Sequence, residues 1–313
     1  MSPQIEAQNL SELQSRLWNI ADTLRGKMNA DEFRDYCLGF IFYKYLSEKF
    51  VTYANKILKE DGIKYNELTA EHPAYQDIID AVKDDSIQTL GYFLPPTDLF
   101  HTMAQRVAKD QKGAGEGFIL EDLATTLRNI EQSTLGTDSA DDFSNLFEDL
   151  DLGSSKLGNT AKAKNELIGK VITELDKLSF NLSEASSDIL GDAYEYLIGQ
   201  FASGAGKKAG EFYTPQPVST LLAKIVTTHK LKLKNVYDPT CGSGSLLLRV
   251  KREASSVGKI YGQEMNRTTY NLARMNMILH GVHYADFEIM QEDTLEHPQH
   301  THLKFDAIVA NPP

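Results

Sequence analysis

The sequence predicts an α/β chain in two parts: an all-helical domain over residues 1–165, then a parallel-sheet domain over residues 166–313. Three observations carry that reading. Leu10, Leu13, Leu17, Ile20 and Leu24 recur at spacings of 3 and 4, the single apolar face of a helix. Beyond residue 165, short apolar runs alternate with helical stretches, the rhythm of a parallel α/β sheet. Each of four such runs closes on an acid or an amide: Asp238, Glu264, Asp293 and Asn311.

Helices are expected in order at 10–24, with Ser11 as its cap, at 33–58 and at 98–109. The second holds Leu38-Gly39-Phe40-Ile41-Phe42-Tyr43-Lys44-Tyr45-Leu46, too continuous for a surface helix, and is expected at the centre of its domain. Pro95-Pro96 breaks the chain before the third. Residues 113–117 read as a glycine-rich loop. Between 121 and 151 lie nine carboxylates against Arg128 alone. They lack the alternation of a calcium loop, so the expectation is a solvated acidic face. Gly153-Ser154-Ser155 and Gly158-Asn159 read as the linker between domains.

Composition is that of an ordinary soluble chain, with 41% hydrophobic and 24% charged residues. No apolar run approaches the roughly 18 residues of a membrane span, and no signal peptide is expected. Cys37 and Cys241, far apart in sequence, read as free thiols of a reducing cytoplasm. The net charge of −12, from 32 basic and 44 acidic residues, opposes unaided binding to DNA phosphates.

The second domain carries the chemistry. Helices are expected at 165–178 and 188–201, then a loop at 202–210 in which Lys207 and Lys208 are solvated. Glu211-Phe212-Tyr213-Thr214-Pro215-Gln216 opens a helix with Thr214 as N-cap and Val218, Leu221, Leu222, Ile225 and Val226 on one side. A strand at 235–238 then enters Asp238-Pro239-Thr240-Cys241-Gly242-Ser243-Gly244-Ser245. Glycines there let a ligand approach the backbone. No Gly-Lys-Ser/Thr follows, which excludes an ATPase phosphate loop. Asp238 suits a ligand with a positive amino group, such as the methionine part of S-adenosylmethionine. Cys241 reads as a small residue in a tight turn. Glu264 closes a second strand, the usual place for an acid that holds ribose hydroxyls, and Asp293 closes a third, where it can accept from an adenine amine. His297, His300 and His302 cluster without metal-ligand spacing, so no metal site is expected. The last run, Phe305-Asp306-Ala307-Ile308-Val309-Ala310, delivers Asn311-Pro312-Pro313. An amide side chain and a proline-fixed carbonyl held together can accept both hydrogens of an exocyclic amine, which names methyl transfer to an amino nitrogen.

The ordered set Phe-Tyr-Thr-Pro (212–215), Asp-Pro-x-Cys-Gly-Ser-Gly (238–244), Glu264, Asp293 and Asn-Pro-Pro (311–313) resembles the amino-group DNA methyltransferases. Within them the chain is similar to the methylation subunit of type I restriction-modification systems, whose helical N-terminal domain residues 33–50 resemble. The resemblance implies a Rossmann-like domain that uses S-adenosyl-L-methionine. Residues 211–216 and 243–245 would line the cofactor pocket with Asp238 and Gly242, Glu264 on the ribose and Asp293 near the adenine. Asn311 and Pro312, followed by Pro313, would accept from the target adenine amine after the base leaves the duplex. It also implies partners: a DNA specificity subunit, a second methylation subunit, a translocating restriction subunit and double-stranded DNA. The family pattern continues Asn-Pro-Pro with Phe or Tyr, and this sequence stops before it. The chain is therefore expected to be a C-terminally truncated member, silent in transfer by itself. Two rival readings share these residues: a methyltransferase of protein glutamine or RNA, and a non-catalytic assembly protein.

Overall fold

The computed structural model describes residues 3–23, 30–110, 118–180, 182, 187–204, 214–229 and 232–312. Contacts divide the chain after Ser187. The first unit holds seven helices among its described residues: α1 (Pro3–Ala21), α2 (Ala30–Ile57), α3 (Tyr75–Leu90), α4 (Phe100–Asp110), α5 (Leu120–Gln132), α6 (Ala140–Phe143) and α7 (Ala161–Asp176). Helix α2 is the central one. Phe40, Phe42, Tyr43, Leu46 and Phe50 are fully buried on it, and α1, α3, α4 and α7 all pack against it. Burial of tyrosine requires a partner for each hydroxyl. Tyr36 donates to the Asp151 carbonyl and Tyr43 to that of Asp98, each at 2.6 Å. Tyr65 and Tyr92 reach the Leu94 and Leu46 carbonyls at 2.7 and 2.8 Å. Lys44, equally buried, pairs with Glu48 at 2.5 Å.

Three expectations are corrected here. Ser11 lies inside α1 rather than capping it. The boundary falls at 187/188, not 165: α7 packs on α1, α2, α4 and α5 and so belongs to the first unit. Residues 153–159 are not a linker but part of that unit, with Leu152 and Leu157 in its core. The carboxylates of 121–151 are all at least partly exposed, as a solvated face requires, and Asp122 pairs with Arg106.

The second unit contains α8 (Ser187–Gly204), α9 (Gln216–Thr227), β1 (Lys232–Asp238), α10 (Ser245–Glu253), β2 (Ser256–Glu264), α11 (Arg267–Leu279), β3 (Phe287–Gln291) and β4 (Ala307–Ile308). All four strands are parallel, in the order β3-β2-β1-β4. The numbering runs one way from β1 through β2 to β3 and the other way to β4. That reversal beside β1 is the switch point at which open α/β sheets bind ligands. Only Val236↔Ala307 and Tyr237↔Ile308 pair in β4, extended by Val309 N–H to the Tyr237 carbonyl at 2.9 Å.

Helix α9 starts at Gln216 with Pro215 at its N-cap position, so Thr214 is not the cap. It also faces the other way from its apolar pattern. Ser219, Ala223 and Thr227, four apart, are buried, Leu222 and Val226 are half-buried, and Val218, Leu221 and Ile225 are exposed. Helix α9 packs against α10. No described helix is long and apolar enough to cross a membrane.

Candidate active site

At the switch point lies a cavity of about 600 Å³, a size typical of small-ligand sites. It is bounded by the β1–α10 loop, the end of β2, the segment after β3 and the segment after β4. The loop is shaped by two glycines in the left-handed region, Gly242 at φ 55° and Gly244 at φ 78°. Gly244 precedes α10 directly, and a Cβ there would come 2.7 Å from Met277 Cε. Asn276 Nδ2 donates to the Ser243 carbonyl at 2.9 Å, tying the loop to α11. The hydroxyls of Ser243 and Ser245 sit 2.9 Å apart on the cavity wall. Helix α10 begins at Ser245, so its N-terminal amide end opens there and favours negative groups.

Glu264 is oriented from both sides. Its Oε2 accepts from Gly242 N–H at 3.0 Å and its Oε1 from Asn266 N–H at 2.8 Å. Partial burial raises its pKa, opposed by those backbone donors. Asp238 lies behind the loop: it is 2% exposed and absent from the cavity wall, and its Oδ1 accepts from Thr240 N–H at 2.9 Å. Burial, and secondarily the Glu264 charge, push its pKa up to about 7 against the Thr240 hydrogen bond. Cys241 is fully buried, with its thiol pKa driven well up by burial and by Asp238 and Glu264, which suits a small turn residue and not a nucleophile.

Of the residues singled out in the sequence, Thr214, Gly242, Ser243, Ser245, Glu264, Asp293, Asn311 and Pro312 line this one cavity. Pro215, Gln216, Asp238 and Gly244 do not. Glu211, Phe212, Tyr213 and Pro313 lie outside the described residues, as do Lys207, Lys208 and the 113–117 loop. Asp293 Oδ1 accepts from Leu295 N–H at 2.8 Å, so this acid also shapes its own turn. Two apolar lining residues escaped the sequence reading: Met265, 64% exposed, and Leu295, 95% exposed. Leu295 sits in a polar stretch without periodicity, so nothing marked it. Asn266 had a signal: it follows the β2 acid and N-caps α11, accepting from Thr269 N–H at 3.0 Å. His300 is buried edge-on between Tyr237 and Tyr261.

Carboxylates, hydroxyls and a helix N-terminus beside exposed apolar side chains form a mixed lining. It fits a ligand with a polar chain, ribose hydroxyls and a flat base, as in S-adenosyl-L-methionine.

Comparison with known proteins agrees with this arrangement. Residues 185–313 match the N-6 DNA methylase family model and residues 13–175 the HsdM N-terminal domain model. The methylase subunit of the type I restriction enzyme MpnII of Mycoplasma pneumoniae is 40% identical over 96% of this chain and 57% of its own length. A 27% identical relative, the MjaIX methylase subunit of Methanocaldococcus jannaschii, is matched over 96% of this chain and 51% of its length. The crystal structure of the type I restriction-modification methyltransferase subunit from Streptococcus thermophilus superposes with a TM-score of 0.83 at 40% identity. That match covers 97% of this chain and 63% of that one. The chain thus spans between about half and six-tenths of the length of these relatives. Taken with the cavity at the switch point, these matches show that the chain belongs to the methylase subunits of type I restriction enzymes.

Proposed function

We propose that the second unit binds S-adenosyl-L-methionine in the cavity beside Glu264 and presents an adenine amine of DNA to it at Asn311 and Pro312. The carrying observation is that Glu264, Asp293, Asn311 and Pro312 line one cavity at the reversal of strand order. When bound, the cofactor supplies an electrophilic methyl group. Glu264, held by two backbone amides, accepts from ribose hydroxyls. Ser243, Ser245 and the α10 N-terminus take the amino-acid end, and Asp238 adds negative charge behind the loop. Met265 and Leu295 offer apolar contact to a base. Asn311 Oδ1 and the Pro312 carbonyl accept the two amine hydrogens and so aim the nitrogen lone pair, a contribution of positioning rather than of acid–base chemistry. The sheet domain of the site is proposed to act with a helical unit that docks partner subunits. A specificity subunit, a second methylation subunit and a restriction subunit supply the sequence reading and DNA grip that a net charge of −12 opposes.

Methyl transfer is measured with labelled cofactor on unmethylated double-stranded DNA, using the chain as it occurs within a complete methylase–specificity complex. Label is expected in adenine, and label in cytosine or protein overturns the proposal. Asn311→Ala is expected to lower transfer at least ~100-fold while cofactor affinity stays within about threefold, because its amide acts on the target base alone.

A further inference from the structure

Residues 292–306, which join β3 to β4, contain neither helix nor strand. Irregular connections of that length are uncommon and usually functional. This one forms the cavity wall that holds Asp293, Thr294 and Leu295. A segment without a hydrogen-bond ladder must be held in place by other bonds.

Gln263, fully buried next to the end of β2, supplies three of them, all to residues 292–299. Its Nε2 donates to the Glu292 carbonyl at 3.2 Å and to the His297 carbonyl at 3.0 Å. Its Oε1 accepts from Gln299 N–H at 3.0 Å and, more weakly, from the Tyr237 hydroxyl at 3.5 Å. Two donors and two acceptor positions are all that a glutamine amide has. Three of these four are spent on the main chain of residues 292–299. The neighbours of Gln263 add single ties: Glu292 N–H to the Glu264 carbonyl at 3.2 Å, and His300 Nε2 to the Gly262 carbonyl at 3.2 Å. Thr294 Oγ1 adds one more, donating to the Pro239 carbonyl at 2.5 Å. The backbone of Gln263 meanwhile pairs with Met290 in the sheet and accepts from Cys241 N–H at 2.9 Å, so the amide is carried on a fixed base.

We propose that Gln263 is a positioning residue of this site: its amide sets residues 292–299 so that Asp293 selects an adenine base over one bearing a carbonyl in place of the amine. The inference rests on the cofactor reading above. Asp293 has one oxygen engaged by Leu295 N–H, and a carboxylate accepts from an amine but repels a carbonyl oxygen. Selection at that point depends on where the wall stands, and the wall stands where Gln263 holds it.

The test compares S-adenosylhomocysteine with S-inosylhomocysteine, in which a carbonyl replaces the 6-amine and N1 carries a proton, by calorimetric titration of the full chain. The unmodified chain is expected to prefer the adenine ligand at least roughly tenfold, since a carbonyl at that position loses the hydrogen bond and sets two acceptors against each other. Gln263→Leu is expected to lower that preference below about threefold. A loss of overall fold quality weakens both ligands alike and leaves the ratio. If Gln263→Leu does not fold, Gln263→Asn, one methylene too short to reach, is read for the same ratio. In the unmodified chain the Gln299 amide is expected to exchange its hydrogen slowly despite lying in irregular structure. A preserved ratio in the folded variant, or free exchange at Gln299, overturns the inference. Absence of binding by the unmodified chain overturns the cofactor reading itself and takes this inference with it.

Discussion

Asp238 and Glu264 close adjacent strands of the same small loop, yet only one of them meets the cavity. Burial makes Asp238 the titrating member, with its pKa raised from 3.8 to about 7. A carboxyl whose folded pKa lies above its unfolded one adds stability that is complete below about pH 4 and is lost as pH rises through about 7. Asp238→Asn keeps an oxygen for Thr240 N–H and removes the charge. Its stability relative to the unmodified chain is therefore expected to improve by ~2 kcal/mol on going from pH 5 to pH 8, read from urea midpoints. An unchanged difference at the two pH values contradicts the assignment. The same burial means that a cationic ligand, which favours the ionised carboxyl, is expected to bind more tightly above pH 7 than below it. Glu264→Ala removes the acceptor for Gly242 and Asn266 together with the cavity carboxylate. A loss of about 10- to 100-fold in cofactor affinity is expected, measured by calorimetry.

At the scale of elements, the β1–α10 loop is the part whose geometry tolerates least. Gly244→Ala places a side chain at φ 78°, which costs about 1–2 kcal/mol, and sets a Cβ 2.7 Å from Met277 Cε. A fall of several degrees in Tm with weakened cofactor binding is the expected result of thermal denaturation and titration, and an unaltered Tm contradicts the strain. This loop was legible in the sequence because glycine at fixed offsets from an apolar run has few other uses. Asp238 and Glu264 were legible for a related reason, since each is the last residue of its strand, whereas Asp293 stands two residues beyond the end of β3 at Gln291. Other elements were not. Helix α9 exposes Val218, Leu221 and Ile225 while the row of Ser219, Ala223 and Thr227 is buried, so hydrophobic pattern alone misplaces its buried face. The apolar run before Asn311 read as a full strand, but only Ala307 and Ile308 pair; the preceding residues are fixed instead by Asn235, which accepts from Asp306 N–H at 3.0 Å and donates to the Lys304 carbonyl at 2.9 Å. Such side-chain to backbone ties leave no periodicity to read, and the same holds for Gln263 and the wall it fastens.

For the whole molecule, the boundary at 187 changes what each part contains. Helix α7 looked like the first element of the sheet domain because its apolar spacing is the same as that of any amphipathic helix. Its partners, α1, α2, α4 and α5, decide otherwise. The first unit then holds a closed core around α2, in which four buried tyrosine hydroxyls find carbonyl partners within the same unit. Residues 1–187 expressed alone are expected to show helical circular dichroism and one cooperative thermal transition, whereas a cut at 165 severs α7 and is expected to abolish that cooperativity. Residues 188–312 supply every lining residue of the cavity. The central claim, that this cavity is a cofactor site, is tested most directly by calorimetric titration of the chain with S-adenosylhomocysteine. Saturable binding of one ligand per chain, weakened about 10- to 100-fold in Glu264→Ala, is predicted. No heat of binding, or binding that Glu264→Ala leaves untouched, would contradict it.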